Sequence, residues 1–151
     1  LVGGLVVFLP RPTVSAPSAP VNGVDQASVS FDISNNGLIS LDDVGIAIGL
    51  GIATSGTKGK IIGTPDFKVV MRKTAWQHQH LGMDDRFTIV LSDIISGGVV
   101  SADIAVIVRY RPWVLPLRRE KIYRFVTYPQ INGENHWRSF PLDAPRPDNI
   151  K

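Results

Sequence analysis

The sequence predicts an all-β fold, an antiparallel sandwich of about seven to eight strands, on three observations. Short stretches alternate apolar and polar residues with a period of two, which sets one row of side chains toward a core and the other toward solvent. Glycine and proline are frequent, with 14 Gly and 11 Pro among 151 residues, and they cluster between the alternating stretches, where turns belong. No stretch of helical length carries an apolar stripe at spacings of three and four, so no amphipathic helix competes for the core. With 44% hydrophobic and 19% charged residues, the chain has the composition of one globular domain and not of a disordered one.

The elements follow in order. The chain opens Leu1-Val-Gly-Gly-Leu-Val-Val-Phe-Leu9, nine apolar residues that rise only about 13 Å as a helix, under half of a bilayer core. The run fits the end of a membrane-spanning helix, the tail of a signal sequence or a first strand. Pro10-Arg11-Pro12 stops a helix and places a charge where a membrane interface would lie. Thr13 to Pro20 then has the Pro, Ala and Ser content of an extended linker. This layout predicts a truncated anchor or signal remnant over 1–10, a linker over 11–23, a sandwich over 24–142 and a flexible tail over 143–151. It also predicts a location at the cell membrane, with the domain on the extracytoplasmic (periplasmic or extracellular) side.

Ser28 to Ser34 alternates cleanly, with Val29, Phe31 and Ile33 on one face, and ends at the turn Asn35-Asn36-Gly37. In Val44 to Ile52, Val44, Ile46, Ile48, Leu50 and Ile52 alternate with Gly45, Ala47, Gly49 and Gly51. Three glycines would cost a helix dearly, so the stretch reads as a strand. Its large residues face a core, and its small-residue face lets something approach the backbone closely. Further strands are expected at Phe67 to Arg72, Arg86 to Ser92, Ala102 to Arg111 and Lys121 to Tyr128, with a last short one ending at Phe140.

The stretch SVSFDISNNGLISLDDVGIAIGL, after an apolar run and a Pro-rich linker, resembles the opening of bacterial membrane-anchored immunoglobulin-like domains of the adhesion type. The resemblance rests on pattern over residues 24 to 128 and implies an immunoglobulin-like sandwich. With no cysteine in the chain, the disulfide of antibody domains is absent.

Chemistry-bearing motifs are sparse. The chain has no Gly-x-Ser-x-Gly, no phosphate loop, no His-Glu-x-x-His and no dinucleotide fingerprint, so we expect no enzyme and no cofactor. The absence of cysteine excludes thiolate metal sites and thiol nucleophiles. His78 and His80 are two apart, which on a strand puts both rings on one face; with Asp84, Asp85 or His136 they form a candidate metal site. Asp42-Asp43 reads as a solvated turn.

The charge is uneven. Between Arg109 and Arg124 lie six basic residues and one acidic, leaving ten basic and twelve acidic elsewhere, so the net charge of +3 is concentrated here. Arg109, Arg111, Trp113, Arg118, Arg119, Lys121 and Arg124 form the candidate interaction patch, for a carboxylate-rich protein partner or anionic lipid headgroups. The blander reading is a hairpin with arginines in solvent and aromatics inside. A nucleic-acid partner is not expected, because no recognition module is present and the net charge is small. These features predict a non-catalytic, membrane-tethered module that binds a protein or a surface. The alternative is a structural subunit of a shell, pilus or capsid, packing through its N-terminal arm and its Gly/Ala strand.

Overall fold

The computed structural model describes residues 12–15, 30–55, 59–68, 70–82, 84–90, 99–113, 117–129, 135–148 and 150. The apolar segment 1–10 and most of the expected linker lie outside the described residues. Among the described residues nine strands run in order: β1 Pro12–Ser15, β2 Ser30–Asn35, β3 Leu41–Ser55, β4 Gly59–Ile62, β5 Val70–Leu81, β6 Arg86–Val90, β7 Val99–Pro112, β8 Arg119–Pro129 and β9 Asn135–Phe140. Every pairing is antiparallel. One sheet has the order β1-β2-β6; the other has β4-β3-β7-β8-β9, with β5 paired to β3 on the edge that β4 also uses. Among the described residues there is no helix, and so none long and apolar enough to cross a membrane.

The predicted alternation is what builds the core. Phe31 and Ile33 of β2 and Ile89 of β6 meet Ile46, Ile48, Leu50, Ile104, Val106, Val108, Phe125 and Trp137 of the larger sheet. Phe31 sits at the centre, its ring 5.0 Å from that of Phe125 and 5.7 Å from that of Trp137, in tilted and edge-on geometries. Burying a side chain of this kind is worth roughly 1.5–3 kcal/mol. Asn35 ends β2 in the interior: its Nδ2 donates to the carbonyls of Ile39 at 2.8 Å and Leu81 at 3.2 Å, and its Oδ1 accepts from Gly37 N–H at 3.0 Å. The Asn-Gly turn expected after this strand is therefore cross-linked to the opposite sheet by its own first residue.

Bulges in β3 change the expected faces. Leu50 opposes Ile104 while Ile52 opposes the adjacent Asp103, so Gly51 is an extra residue that inverts the alternation. Ile52 was expected on the core face with Leu50. It turns to the back of the sheet instead and packs with Val126, Ile150 and Phe140. A second bulge lies between Asp42 and Gly45, which oppose Arg111 and Arg109, and Asp43 there has a φ of 49°.

Other boundaries also move. β1 lies within the stretch expected as linker, and β4 begins in the expected loop at Ser55 to Gly59, which raises the strand number to nine. The expected strand at Phe67 starts later, at Val70, because Phe67 holds a φ of 58° that a strand cannot contain. Its ring fills the recess over Gly49 and Gly51: a Cβ on Gly49 would stand 2.3 Å from the Phe67 carbonyl oxygen. The small-residue face of β3 is thus approached closely, as expected, and by residues of the same chain.

Candidate interaction surface

Three segments distant in sequence converge at one end of the sandwich. The β2–β3 connection, residues 36–40, passes from one sheet to the other, and the Trp113 N–H donates to the Ser40 carbonyl at 3.0 Å. That bond seats Trp113 against the connection. The start of β1 arrives at the same end, because Pro12 pairs with Asn35. Tyr123 of β8 donates its hydroxyl to the Pro12 carbonyl, and Asn36 Nδ2 donates to Thr13 Oγ1 at 2.9 Å. Burial, and then the neighbouring Tyr110, push the Tyr123 pKa up to about 12, so the phenol stays protonated and remains a donor at neutral pH.

This end presents apolar side chains to solvent. Trp113 is 66% exposed, Leu117 64% and Leu38 47%. Pro112 closes β7 and, lacking an N–H, ends the ladder there, which leaves Trp113 in a turn outside the sheet. Arg118, Arg119 and Lys121 stand beside them and are exposed. By register Arg119 and Lys121 oppose Tyr110 and Val108, so they share the face of β8 that carries Tyr123 and lies toward β1.

The remaining members of the predicted patch are placed differently. Arg109 Nε bonds Glu120 Oε2 at 2.7 Å across the hairpin. Arg111 is held by both neighbouring carboxylates, Asp43 at 3.3 Å and Asp42 at 3.7 Å. Adjacent strand residues normally point to opposite faces, which is why Asp42-Asp43 read as a solvated turn; the bulge brings both carboxylates to one guanidinium. Leu38 and Leu117 were missed as site residues, since one apolar residue beside a turn gives no periodic signal.

Arg124 is the clear correction. It is only 5% exposed and lies on the other face of β8, where it grips the fully buried Asp103 through Nε at 2.9 Å and Nη2 at 2.8 Å. Its Nη1 donates to the carbonyls of Pro141 at 3.0 Å and Ala144 at 2.5 Å, and its plane lies 5.5 Å from the Phe67 ring and 5.1 Å from the Phe140 ring. Arg146 adds a second cation to Asp103 at 3.0 Å. The segment expected as a flexible tail from 143 is therefore tied to the sheet through Ala144, Arg146 and Ile150. A cleft of about 380 Å³ lies here, lined by Phe67, Asp103, Arg124, Leu142, Asp143 and Arg146 among others. Its two arginines face two carboxylates, so it carries no charge excess for an ionic ligand.

The described residues do not bring the other candidate metal ligands together. His80 bonds Asp42 through Nδ1 at 2.6 Å, and the His78 side chain lies outside the described residues. Asp85 accepts instead from Gly82 N–H at 2.8 Å. His136 is on β9, four strands from β5 across the larger sheet, or about 19 Å at ordinary strand spacing. Among the described residues no group of three or more His, Asp or Glu side chains is placed to hold a metal ion.

No protein-family model matches this chain, and neither a curated protein nor a solved structure matches it.

Proposed function

We propose that this chain is a non-catalytic, membrane-tethered β-sandwich of immunoglobulin-like type on the extracytoplasmic side, which engages a surface or a protein through one end of the sandwich. The observation that carries the reading is the convergence at that end of exposed Trp113, Leu117 and Leu38 with Arg118, Arg119 and Lys121, beside the point where β1 begins. Aromatic and arginine side chains dominate interaction energies because they bury large areas with few rotatable bonds. Backbone bonds fix Trp113 on Ser40 and Pro12 on Asn35, so less ordering entropy opposes binding at these points. The assembly-subunit alternative loses part of its support, since Phe67 already occupies the small-residue face at Gly49 and Gly51.

Fractionation of the cells that make the protein tests the tether. The protein is expected in the membrane pellet after washing with 1 M salt and with alkaline carbonate, and it should be digested by protease added to intact cells. Release into the supernatant by these washes contradicts the tether, and full protection from external protease contradicts the extracytoplasmic side.

A further inference from the structure

We infer that the basic flank of this end docks on the anionic headgroups of the membrane that holds the N-terminal run, so that the sandwich lies against the bilayer instead of swinging from a linker. The inference rests on the tether reading and adds a specific occupant for the surface. Its first support is covalent reach. Leu9, the last residue of the apolar run, precedes Pro12 by three residues, so their Cα atoms are at most about 11 Å apart in any conformation. Pro12 is itself fixed, by pairing with Asn35 and by the Tyr123 hydroxyl. Whatever layer takes up the apolar run therefore lies close to Tyr123. On that same face of β8 stand Lys121, two residues away, and Arg119, four residues away.

The second support is how charge is divided across this end. Because β1 lies over β8 while β6 is at the opposite edge of the smaller sheet, the end has two flanks. Arg119 and Lys121 occupy the β1–β8 flank, and exposed Arg118 directly precedes β8. Among the described residues near this end, Asp42 and Asp43 are matched by Arg111 and Glu120 by Arg109, Asp32 of β2 accepts from Thr88 of β6 at 2.8 Å, and Asp84 and Asp85 lie in the β5–β6 turn. Among the described residues, Arg119 and Lys121 on the flank nearest the N-terminal run thus have no ion pair with a carboxylate. The third support is the side-chain types. Trp113 and Leu117 beside arginine and lysine are the combination that settles at a bilayer interface, with rings and aliphatic groups at headgroup depth and cations on phosphates. Each cation near an anionic surface is worth about five-fold in binding, so three amount to roughly 100-fold.

The test uses the protein reconstituted with its N-terminal region into vesicles of neutral phosphatidylcholine, or of phosphatidylcholine with 30% phosphatidylglycerol, both carrying brominated acyl chains as quenchers. Subtracting the emission of a Trp113→Phe variant isolates Trp113 from the other two tryptophans. Trp113 is expected to be quenched in anionic vesicles and much less in neutral ones. The quenching should be lost in 0.5 M salt, where screening shortens to a few ångströms, and in Arg118→Ser/Arg119→Ser/Lys121→Ser. The salt arm needs no variant, so the test survives a variant that folds poorly. Equal quenching in both vesicle types, or none in either with the protein still floating with the vesicles, overturns the docking and leaves the tether standing; the second result favours a protein partner. Failure to float with either composition removes the tether, and the docking with it.

Discussion

Arg124→Met is expected to cost the protein about 3–5 kcal/mol of folding stability, the range seen when one partner of a buried ion pair is removed. Asp103 is fully buried, and without Arg124 it keeps only Arg146, whose side chain is about one-third exposed. The same change withdraws the donor from the Pro141 and Ala144 carbonyls, which hold the C-terminal segment against the sheet. A domain of this size has about 5–15 kcal/mol in total, so the variant should melt many degrees lower and be cut early by protease beyond Phe140. The double variant Asp103→Leu/Arg124→Met should recover much of the loss, because no unpaired charge is then left inside. Urea midpoints for the three proteins check this. A loss below 1 kcal/mol in the single variant would mean that Asp103 is solvated.

Gly63→Ala is the second change with a large expected effect, about 3 kcal/mol, at the upper end for an overpacked site. A Cβ at Gly63 would stand 1.9 Å from the Leu50 carbonyl oxygen, an atom of the backbone that no rotamer change can move. That carbonyl accepts from Thr64 N–H at 3.1 Å, and Gly63 N–H donates to Gly51 at 2.9 Å. Relieving the clash means pulling residues 63–67 off β3, which breaks both bonds and lifts Phe67 out of its recess. Gly59→Ala makes the control: it has open space around it, and its positive φ of 71° limits the cost to about 1 kcal/mol. Equal losses at the two positions would show that residues 63–67 do not lie on the bulge.

These two sites show where sequence and structure part. The period-two rows at Phe31/Ile33 and Ile104 to Tyr110 were legible because each row is continuous and faces one core. The Gly51 bulge was not, since one added residue leaves composition unchanged while reversing every later face. Arg124 was placed in the surface patch because it lies in a basic run. Its neighbours of equal parity on β8 are Ile122 and Val126, and those of Asp103 on β7 are Ser101 and Ala105, so the apolar signal around the pair was only partial. β1 was hidden because four residues between prolines and serines have too little pattern to compete with linker composition. The convergence of Pro12, Leu38, Trp113 and Lys121 depends on pairings between residues up to about a hundred positions apart, which no local pattern encodes. The local part of the surface, its cations and Trp113, was legible.

The end carrying the N-terminal arm is, on the proposal above, the working end of the molecule. Amide hydrogen exchange, measured by mass spectrometry on the protein in anionic and in neutral lipid nanodiscs, tests it directly. Slower exchange in anionic nanodiscs is predicted for residues 36–40 and 113–121, with no change over β9 or residues 59–67. Slowing confined to β9 and the C-terminal segment, or identical exchange in the two lipids, would contradict it.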